Sequence, residues 1–580
     1  MLDLLLHGGT VVDGTGGKGF RANIGVEGDR IAFVGPEDAP AKERRDVTGR
    51  IVCPGFIDPH SHADLSVFRE NQASLLEPLV RQGITTFIGG NCGMAMAPIQ
   101  EKHRDAIEAY AKVFTQVDLD RDVSWKSMGE FFDLIEQRGL LLNAAILAPH
   151  GLLRLNETGL EMRLATDEEM ENMARALDAA LEEGAIGLST GLQYVPGSQS
   201  DTRELLYLGK VLRKHDAIFT SHLRSYSSTL DRAIAEVVEV GEQCDIRAQI
   251  SHLFWVPDLG WAAPLLQSVT RVFARLSKWW NAPIPLDRPM QKRLDQMMAA
   301  RARGVDIRVD CMPTTTGFTH VLAFFPPWAL EGGREAMLTR LKDPEERRRI
   351  RHSIEHGKMT WPHTGPDAWT LNLFRLMGWG CAHIMSVATE RNQRLVGMNL
   401  VQIARERGVH PFDAVCDLLL EENGHVLVFE SMAEPGDAFT ERSIYAGIKH
   451  PEAMVSTDAI LMGEGKPSTL FYGCYPHFIA RYVRERPLLP MEAAIRKMTG
   501  LVAEHFRLKD RGVVREGAFA DLVVFDPNTI ASRATFYDPC QYPEGIDYVF
   551  INGRCVVDGG TFHPEPLPGR LIRGGASVSS

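Results

Sequence analysis

The stretch that decides the fold is Pro54-Gly55-Phe56-Ile57-Asp58-Pro59-His60-Ser61-His62. Its first half is typical of a short buried strand, and Pro59 ends that strand just before two histidines. In an extended segment alternate side chains point the same way, so His60 and His62 can converge on one ion. Two histidines at this spacing are common without a metal. The pair therefore indicates a metal site only if further ligands follow other strands.

Eight apolar, β-type runs alternate with helical patterns through the middle of the chain. They cover residues 55–58, 85–89, 144–148, 185–189, 217–220, 247–250, 306–309 and 453–455. Near-continuous apolar strands separated by helices indicate a parallel sheet, and eight such units predict an α/β fold of the (β/α)8 TIM-like barrel type. A doubly wound open sheet is the alternative, but no Gly-x-Gly-x-x-Gly turn follows the first strand.

Both ends of the chain carry short β-type pieces divided by glycines, which predict one small β-sandwich-type domain from residues 1–53 and 505–559. Residues 54–504 would then form the barrel, with insertions at about 255–305 and 330–400. Eight of the nine tryptophans lie between residues 255 and 379, where they would either pack the insertions or form substrate walls. Residues 560–580 are expected to be a flexible tail or a docking arm.

Composition narrows the class of protein. The net charge of −12 and the absence of a Lys/Arg stripe argue against a nucleic-acid partner and leave a small-molecule substrate. No apolar run is long enough to span a membrane, and the first residues lack a basic leader with a cleavage site. Nine scattered cysteines, an odd number, do not form a disulfide framework, so we expect a cytoplasmic protein. Homo-oligomer formation is left open.

Potential ligands follow five of the predicted strands, and in a barrel all strand ends open on one face. Taken singly, each of these residues could have a purely structural role as a core side chain or a helix cap. Together they offer three nitrogen or sulfur donors around one ion with a position left open, the pattern of a catalytic zinc. The six residues are His60, His62, Cys92, His222, His252 and Asp458.

Two longer motifs carry a family resemblance. Gly89-Gly90-Asn91-Cys92-Gly93 puts a cysteine where most amidohydrolases use a carboxylated lysine or a glutamate. Residues 187–197 read Gly-Leu-Ser-Thr-Gly-Leu-Gln-Tyr-Val-Pro-Gly. With the His-x-His start and the late aspartate, these motifs resemble the amidohydrolase superfamily and, more narrowly, the D-aminoacylases, that is, the N-acyl-D-amino-acid deacylases. The resemblance covers nearly the whole chain except the insertions.

The resemblance implies the roles of the site residues. One zinc would be held tightly by Cys92, His222 and His252, and a second, weaker site would use His60 and His62 with a shared Cys92. Asp458 would be the catalytic group that takes a proton from water and passes it to the leaving amine. Tyr194 and His150 lie near the same rim and are expected to support the substrate.

The departures from the family concern the substrate. Members hold the substrate's carboxylate with a lysine two residues after the sixth-strand histidine, a tyrosine after the seventh strand and an arginine after the late aspartate. Here Phe254 stands at the first position, Met312 lies in the second stretch, and residues 466–470 lack an arginine. Because a buried carboxylate without a cation is costly, we expect zinc-dependent hydrolysis of a linear amide in an apolar or aromatic N-acyl compound without a free carboxylate.

Three alternatives remain open. An ordinary N-acyl-D-amino-acid deacylase would need another cation, such as Arg224 or Arg288, in place of the lost contacts. A cyclic amidase of the hydantoinase type shares the barrel, but Cys92 counts against it. A non-catalytic binding protein would be favoured by decayed ligands, and none of the six is missing.

Overall fold

The protein is described by a computed structural model that covers residues 1–108, 119–277, 284–357, 359, 361, 364–365, 368–431, 437–460 and 466–575. Its strands are β1 Leu2–Val11, β2 Phe20–Glu27, β3 Arg30–Gly35, β4 Ala41–Asp46, β5 Ile51–Pro54, β6 Phe56–Asp58, β7 Ile84–Gly89, β8 Asn143–Ile146, β9 Ala148–Pro149, β10 Gly187–Gly191, β11 Ile218–His222, β12 Ala248–Ile250, β13 Ile307–Cys311, β14 Gly317–His320, β15 Ala382–Val387, β16 Val426–Glu430, β17 Ala453–Val455, β18 Leu522–Phe525, β19 Ile546–Ile551, β20 Arg554–Asp558 and β21 Thr561–Phe562.

The described α-helices are Gln72–Arg81, Leu119–Asp122, Met128–Arg138, His150–Thr158, Asp167–Glu182, Thr202–Lys214, Leu230–Cys244, Ala263–Leu276, Arg288–Ala302, Pro327–Leu330, Gly333–Lys342, Pro344–His356, Leu373–Met377, Leu400–Arg407, Pro411–Glu421, Tyr445–Lys449, Thr469–Phe478, Met491–Met498 and Gly500–Phe506. None of the described helices is long and apolar enough to cross a membrane.

Parallel strands form the centre of the molecule. One run has the order β6-β7-β8, and a second has the order β9-β10-β11-β12-β13-β17. The backbone N–H of Ile186 donates to the carbonyl of Ile146, and that of Asp458 donates to the carbonyl of His60. These bonds link the two runs at both junctions, with β8 and β9 as one interrupted strand. The eight predicted strands are all present, and the (β/α)8 barrel fold is confirmed.

The two ends of the chain share one sheet, in the order β21-β20-β19-β18-β5-β1-β2-β3, with β4 also paired to β1. β18 pairs antiparallel with β5, and β5 runs through Gly55 directly into β6. The sheet therefore fixes the start of the first barrel strand, which carries His60 and His62. The domain limits at residues 53 and 505 stay a prediction.

The chain between β13 and β17 is a large addition to the barrel and extends beyond the predicted 330–400. It forms an antiparallel sheet of order β14-β16-β15 and has an apolar core of its own that includes Trp328 and Trp369. Trp279 and Trp280 lie outside the described residues. Packing of the addition thus accounts for some of the tryptophans between 255 and 379.

Part of the predicted C-terminal tail is attached to the barrel. The N–H of Gly569 donates to the carbonyl of Leu140 over 2.7 Å, and the N–H of Gly574 donates to the carbonyl of Gly184 over 2.8 Å. Residues 568–574 are therefore hydrogen-bonded to the barrel of their own chain. The role of residues 560–580 as a flexible tail or a docking arm stays a prediction. Residues 576–580 lie outside the described part.

Candidate metal centre

The six predicted ligand residues meet at the carboxyl ends of the barrel strands. Cys92 Sγ lies 3.3 Å from His60 Nε2, 3.5 Å from His252 Nε2 and 3.6 Å from His222 Nδ1. His222 Nδ1 and His252 Nε2 are 3.0 Å apart. Asp458 Oδ1 lies 3.3 Å from His62 Nε2 and 3.4 Å from His60 Nε2. The side chains therefore form two donor groups that share Cys92. One consists of Cys92, His222 and His252, and the other of His60, His62, Cys92 and Asp458.

The group of Cys92, His222 and His252 fits a tetrahedral zinc ion. Zinc bond lengths of about 2.3 Å to sulfur and about 2.0–2.1 Å to nitrogen place neighbouring donors about 3.3–3.6 Å apart. The three separations in this group are 3.0, 3.5 and 3.6 Å. Both imidazoles and the thiol are almost completely buried and line a cavity. These three residues would hold a zinc ion at the edge of the cavity, within reach of a substrate.

Three of the candidate ligand residues have a backbone conformation that is unusual for residues other than glycine. Cys92 has φ 54°, His252 has φ 31° and Asp458 has φ 54°. Each such conformation costs about 1 kcal/mol or more and persists only where the surroundings enforce it. The concentration of strain at three strand ends indicates that the barrel holds these side chains for a function.

The signature motif at β10 holds the loop of Cys92. The hydroxyl of Ser189 donates to the carbonyl of Gly90 and accepts from the N–H of Gly93 over 3.0 Å. A Cβ atom on Gly191 would lie 2.0 Å from the carbonyl oxygen of Cys92. Only glycine allows this close approach, which gives a physical reason for part of the Gly-Leu-Ser-Thr-Gly run.

Asp310 supports histidines of both donor groups, a role that the sequence reasoning missed. Its carboxylate accepts from the backbone N–H of His252 over 2.8 Å, from Gln249 Nε2 over 2.6 Å and from the hydroxyl of Ser456 over 2.8 Å. Asp310 Oδ2 also lies 3.7 Å from His60 Nδ1. Burial opposes ionisation, but the attraction of His60 and His252 and the hydrogen bond from Ser456 outweigh it and lower the pKa of Asp310. Its place directly after an apolar strand was the available signal.

The pKa shifts within the cluster are those expected of a site that binds a cation. Burial alone would raise the pKa of Cys92, but the charge of His60 and the hydrogen bonds with His222 and His252 outweigh burial and lower it well below its usual range. Burial disfavours charge on His62 too, yet bonds to Asp458 and Cys92 raise its pKa to about 9. Burial lowers the pKa of His222 to about 4. The positive charge opposite the thiolate is therefore held by protons that a metal ion would replace.

The cavity above the cluster, of about 70 Å³, is mostly apolar. Phe254 stacks on Tyr226 with ring centres 4.2 Å apart, and the ring of Tyr194 lies 4.6 Å from that of His222. The acidic residues among the described lining residues of this cavity are Asp458 and Glu430, and none of the described lining residues is a lysine or arginine. The apolar lining consists of Met94, Phe254, Met312, Phe318, Leu371, Met385, Leu427 and Ile460.

Two sequence-based expectations do not fit these positions. His150 is buried with its Nε2 2.7 Å from Glu204 Oε1, and it is not among the lining residues of the cavity. The predicted substrate contact of His150 is therefore not supported. Arg224, offered as a replacement cation, is buried against Glu236 at 2.7 Å. Its charge is already neutralised inside the protein. Arg288, the other suggestion, does not line the cavity either.

Comparison with known proteins shows similarity to amidohydrolases, the superfamily that the sequence motifs resemble. The family model of the Amidohydrolase family matches residues 448–557. N-acyl-D-glutamate deacylase of Alcaligenes xylosoxydans xylosoxydans is 31% identical over 582 residues, which cover 100% of this chain and 98% of that protein. D-aminoacylase of the same organism is 30% identical over 560 residues, which cover 96% of this chain and 94% of that protein.

Solved structures of similar fold include deacylases with bound metal. N-acyl-D-glutamate deacylase from Bordetella bronchiseptica, complexed with zinc and a phosphonate inhibitor, is 27% identical with a TM-score of 0.74, over 99% of this chain and 100% of that one. Solved D-aminoacylase structures of similar likeness include one with a binuclear metal centre. This chain belongs to the D-aminoacylase family of the amidohydrolase superfamily and is a metal-dependent hydrolase acting on carbon–nitrogen bonds other than peptide bonds.

Proposed function

We propose that the enzyme is a zinc-dependent deacylase that cleaves the linear amide of an N-acyl compound whose leaving amine has no free carboxylate. The observation that carries this proposal is the cavity itself. Phe254 and Met312 line it, its acidic residues are Asp458 and Glu430, and no lysine or arginine stands among the described lining residues.

The physical reason is the cost of desolvation. A carboxylate that leaves water for a site without a cation loses several kcal/mol, and the neighbouring carboxylate of Asp458 adds repulsion. The relative named N-acyl-D-glutamate deacylase would release an amino acid with two carboxylates. An amine half without a carboxylate, and apolar next to the amide, matches the rings of Phe254 and Tyr226, which stack on each other beside the histidines.

For the metal, the donor set favours zinc in the group of Cys92, His222 and His252, because thiolate and imidazole are ligands that zinc prefers. His60 and His62 would add a weaker second site through the shared Cys92. A D-aminoacylase structure is described as having one-metal activation and second-metal attenuation, which agrees with one essential site. When bound, the metal supplies an electrophile for the acyl carbonyl and for water.

The protein's own residues supply the proton transfer and the shape. Asp458 lies within 3.4 Å of His60 and His62 at the cavity floor and still reaches the cavity. It would accept the proton of the attacking water and donate it to the leaving nitrogen. Burial raises the pKa of Tyr194, so its hydroxyl stays protonated beside His222 and can donate to the developing oxyanion.

The second candidate function is ordinary N-acyl-D-amino-acid deacylation. Arg334 favours it, because this residue lines a neighbouring cavity that shares Gln193, Tyr194 and His320 with the cavity over the metal cluster. A long substrate could place a carboxylate there. However, Arg334 Nη1 already donates to His425 over 2.9 Å.

A matched pair of substrates tests the proposal. The zinc-loaded enzyme is offered N-acetyl-D-methionine and N-acetyl-3-(methylthio)propylamine, which differ only in the carboxylate. We expect a kcat/KM for the amide without the carboxylate that is at least about tenfold higher. Equal rates, or a preference for N-acetyl-D-methionine, would support ordinary deacylation and contradict the proposal.

A further inference from the structure

Glu430 stands where two cavities meet. It ends β16 and lines the cavity over the metal cluster and also a second cavity of about 210 Å³. Phe254, Met312 and Gly317 are the other residues that line both. A Cβ atom on Gly317 would lie 2.8 Å from Glu430 Oε2. The glycine on the neighbouring strand thus makes room for the carboxylate at this junction.

This carboxylate makes no hydrogen bond or ion pair with another residue in the part of the chain that the structure describes. Nearby acids of the same addition differ: Glu441 lies 2.7 Å from Arg481, and Glu422 accepts from the N–H of Thr389 over 2.7 Å. Neither cavity is lined by a described lysine or arginine. Burial raises the pKa of Glu430 to about 8, as expected for a desolvated carboxyl without a cation.

An unpaired acid in an apolar wall costs stability, and such departures from good packing are expected at functional sites. Phe254 occupies the position where the family resemblance implies a lysine for the substrate's carboxylate, and Glu430 lines the same two cavities as Phe254. The chemistry of this side is therefore reversed, from a cationic side chain to an aromatic ring and an acid. A cation that lies beside Glu430 favours the ionised form of its carboxyl. Both an acid and an aromatic face attract a cation.

We propose that Glu430 forms a subsite for a positively charged nitrogen on the amine half of the substrate, so that the preferred substrates are N-acyl derivatives of diamines. This inference rests on the proposed function and narrows it, because the leaving amine would carry no carboxylate but a second, cationic nitrogen. The ammonium would donate to the carboxylate of Glu430 while the acyl group faces Cys92, His222 and His252.

Three N-acetyl amides of similar size separate the effects of charge. Their amine halves are 3-methylbutylamine, which is neutral, N,N-dimethylethylenediamine, which has the same branching but a cation, and β-alanine, which has an anion. We expect the full-length, zinc-loaded enzyme to cleave the cationic amide with a kcat/KM at least about tenfold above the neutral one. In Glu430→Gln this ratio should fall to about one, while the rate for the neutral amide is kept.

Two variants serve as controls. Glu430→Asp keeps the charge and should keep a preference for the cation. Glu345→Gln removes one charge from an exposed position of the same addition, where the side chain is 78% accessible, and should leave the ratio unchanged.

Several outcomes would overturn the subsite. They are a wild-type enzyme without preference for the cation, an unchanged ratio in Glu430→Gln, or equal losses for the neutral and cationic amides, which would indicate a proton-transfer or structural role. The ratio of kcat/KM between the cationic and the neutral amide in the wild-type enzyme tests the proposal even if a variant fails to fold. Failure of the proposed function looks different, since none of the uncharged or cationic amides would then be cleaved. In that case, dissociation constants of the same three amides, measured by calorimetry, still show whether the enzyme prefers a cationic amine half.

Discussion

Replacement of Asp310 by asparagine tests how much this residue contributes to positioning the metal ligands, because it changes none of the ligands themselves. The asparagine side chain has nearly the same size, and its carbonyl can still accept from the N–H of His252 and the hydroxyl of Ser456, both 2.8 Å from Oδ1 of Asp310 in the structure. The new NH₂ group would then face Gln249 Nε2 and His60 Nδ1, which lie 2.6 and 3.7 Å from Oδ2 of Asp310. Among the candidate metal ligands, the change therefore acts mainly on His60.

The expected magnitudes follow from these contacts. Loss of the charged acceptor for Gln249 should lower the free energy of unfolding by about 1–3 kcal/mol. Residues that orient metal ligands typically change metal affinity by about 10–100-fold. We expect a loss of this size for the second ion, at His60 and His62, and a smaller loss for the ion at His222 and His252.

Zinc titration against a competing chromophoric chelator measures both dissociation constants, and thermal unfolding measures stability. Asp306→Asn is the control, because Asp306 lies just before the start of the same strand with a half-exposed side chain and should change neither constant. If Asp310→Asn bound two zinc ions as tightly as the wild type, Asp310 would not position His60 and this reasoning would be refuted.

Three further predictions concern the cluster. Cys92→Ala should lose the tightly bound zinc and nearly all activity, as measured by elemental analysis and amide hydrolysis; retention of both would exclude Cys92 as a ligand. Asp458→Asn should keep the zinc at Cys92, His222 and His252 but lower kcat by about 10²–10⁴-fold, and an unchanged kcat would remove its role in proton transfer. Because His60 and His62 both have raised pKa values, that of His62 being about 9, and must lose their protons to bind a metal, the apparent affinity of the second site should fall by at least about tenfold per pH unit below pH 9. Titrations at pH 6, 7 and 8 that gave equal affinities would contradict this.

Much of the barrel and of the candidate ligand set could be predicted from the sequence, since both depend on local patterns. An apolar run followed at once by a histidine, cysteine or aspartate places that residue at the open face of a parallel barrel. Asp310 obeys the same rule, but the rule alone does not separate a residue that supports ligands from one that binds the ion. The fold and the cluster are thus readable from short stretches around His60, Cys92 and Asp458.

Other features depend on contacts between distant residues. Glu430 reaches the cavity because β16 lies between β14 and β15, which sets Glu430 opposite Gly317 and Ala382. No local pattern shows the pairing of Glu430 with Gly317, which is more than one hundred residues away in the sequence. His150 follows a strand end like the candidate ligands, but it begins a helix and is buried against Glu204. Its position in the sequence indicates which strand it follows and not the direction of its side chain.

The central claim is that a metal site of the deacylase type here acts on substrates without a carboxylate. Its most direct test is calorimetric binding of two phosphonate analogues of the tetrahedral intermediate to the zinc-loaded enzyme, one with the carboxylate of a D-amino acid and one with hydrogen in its place. The account predicts a Kd at least about tenfold lower for the analogue without the carboxylate. Tighter binding of the carboxylate-bearing analogue would contradict it.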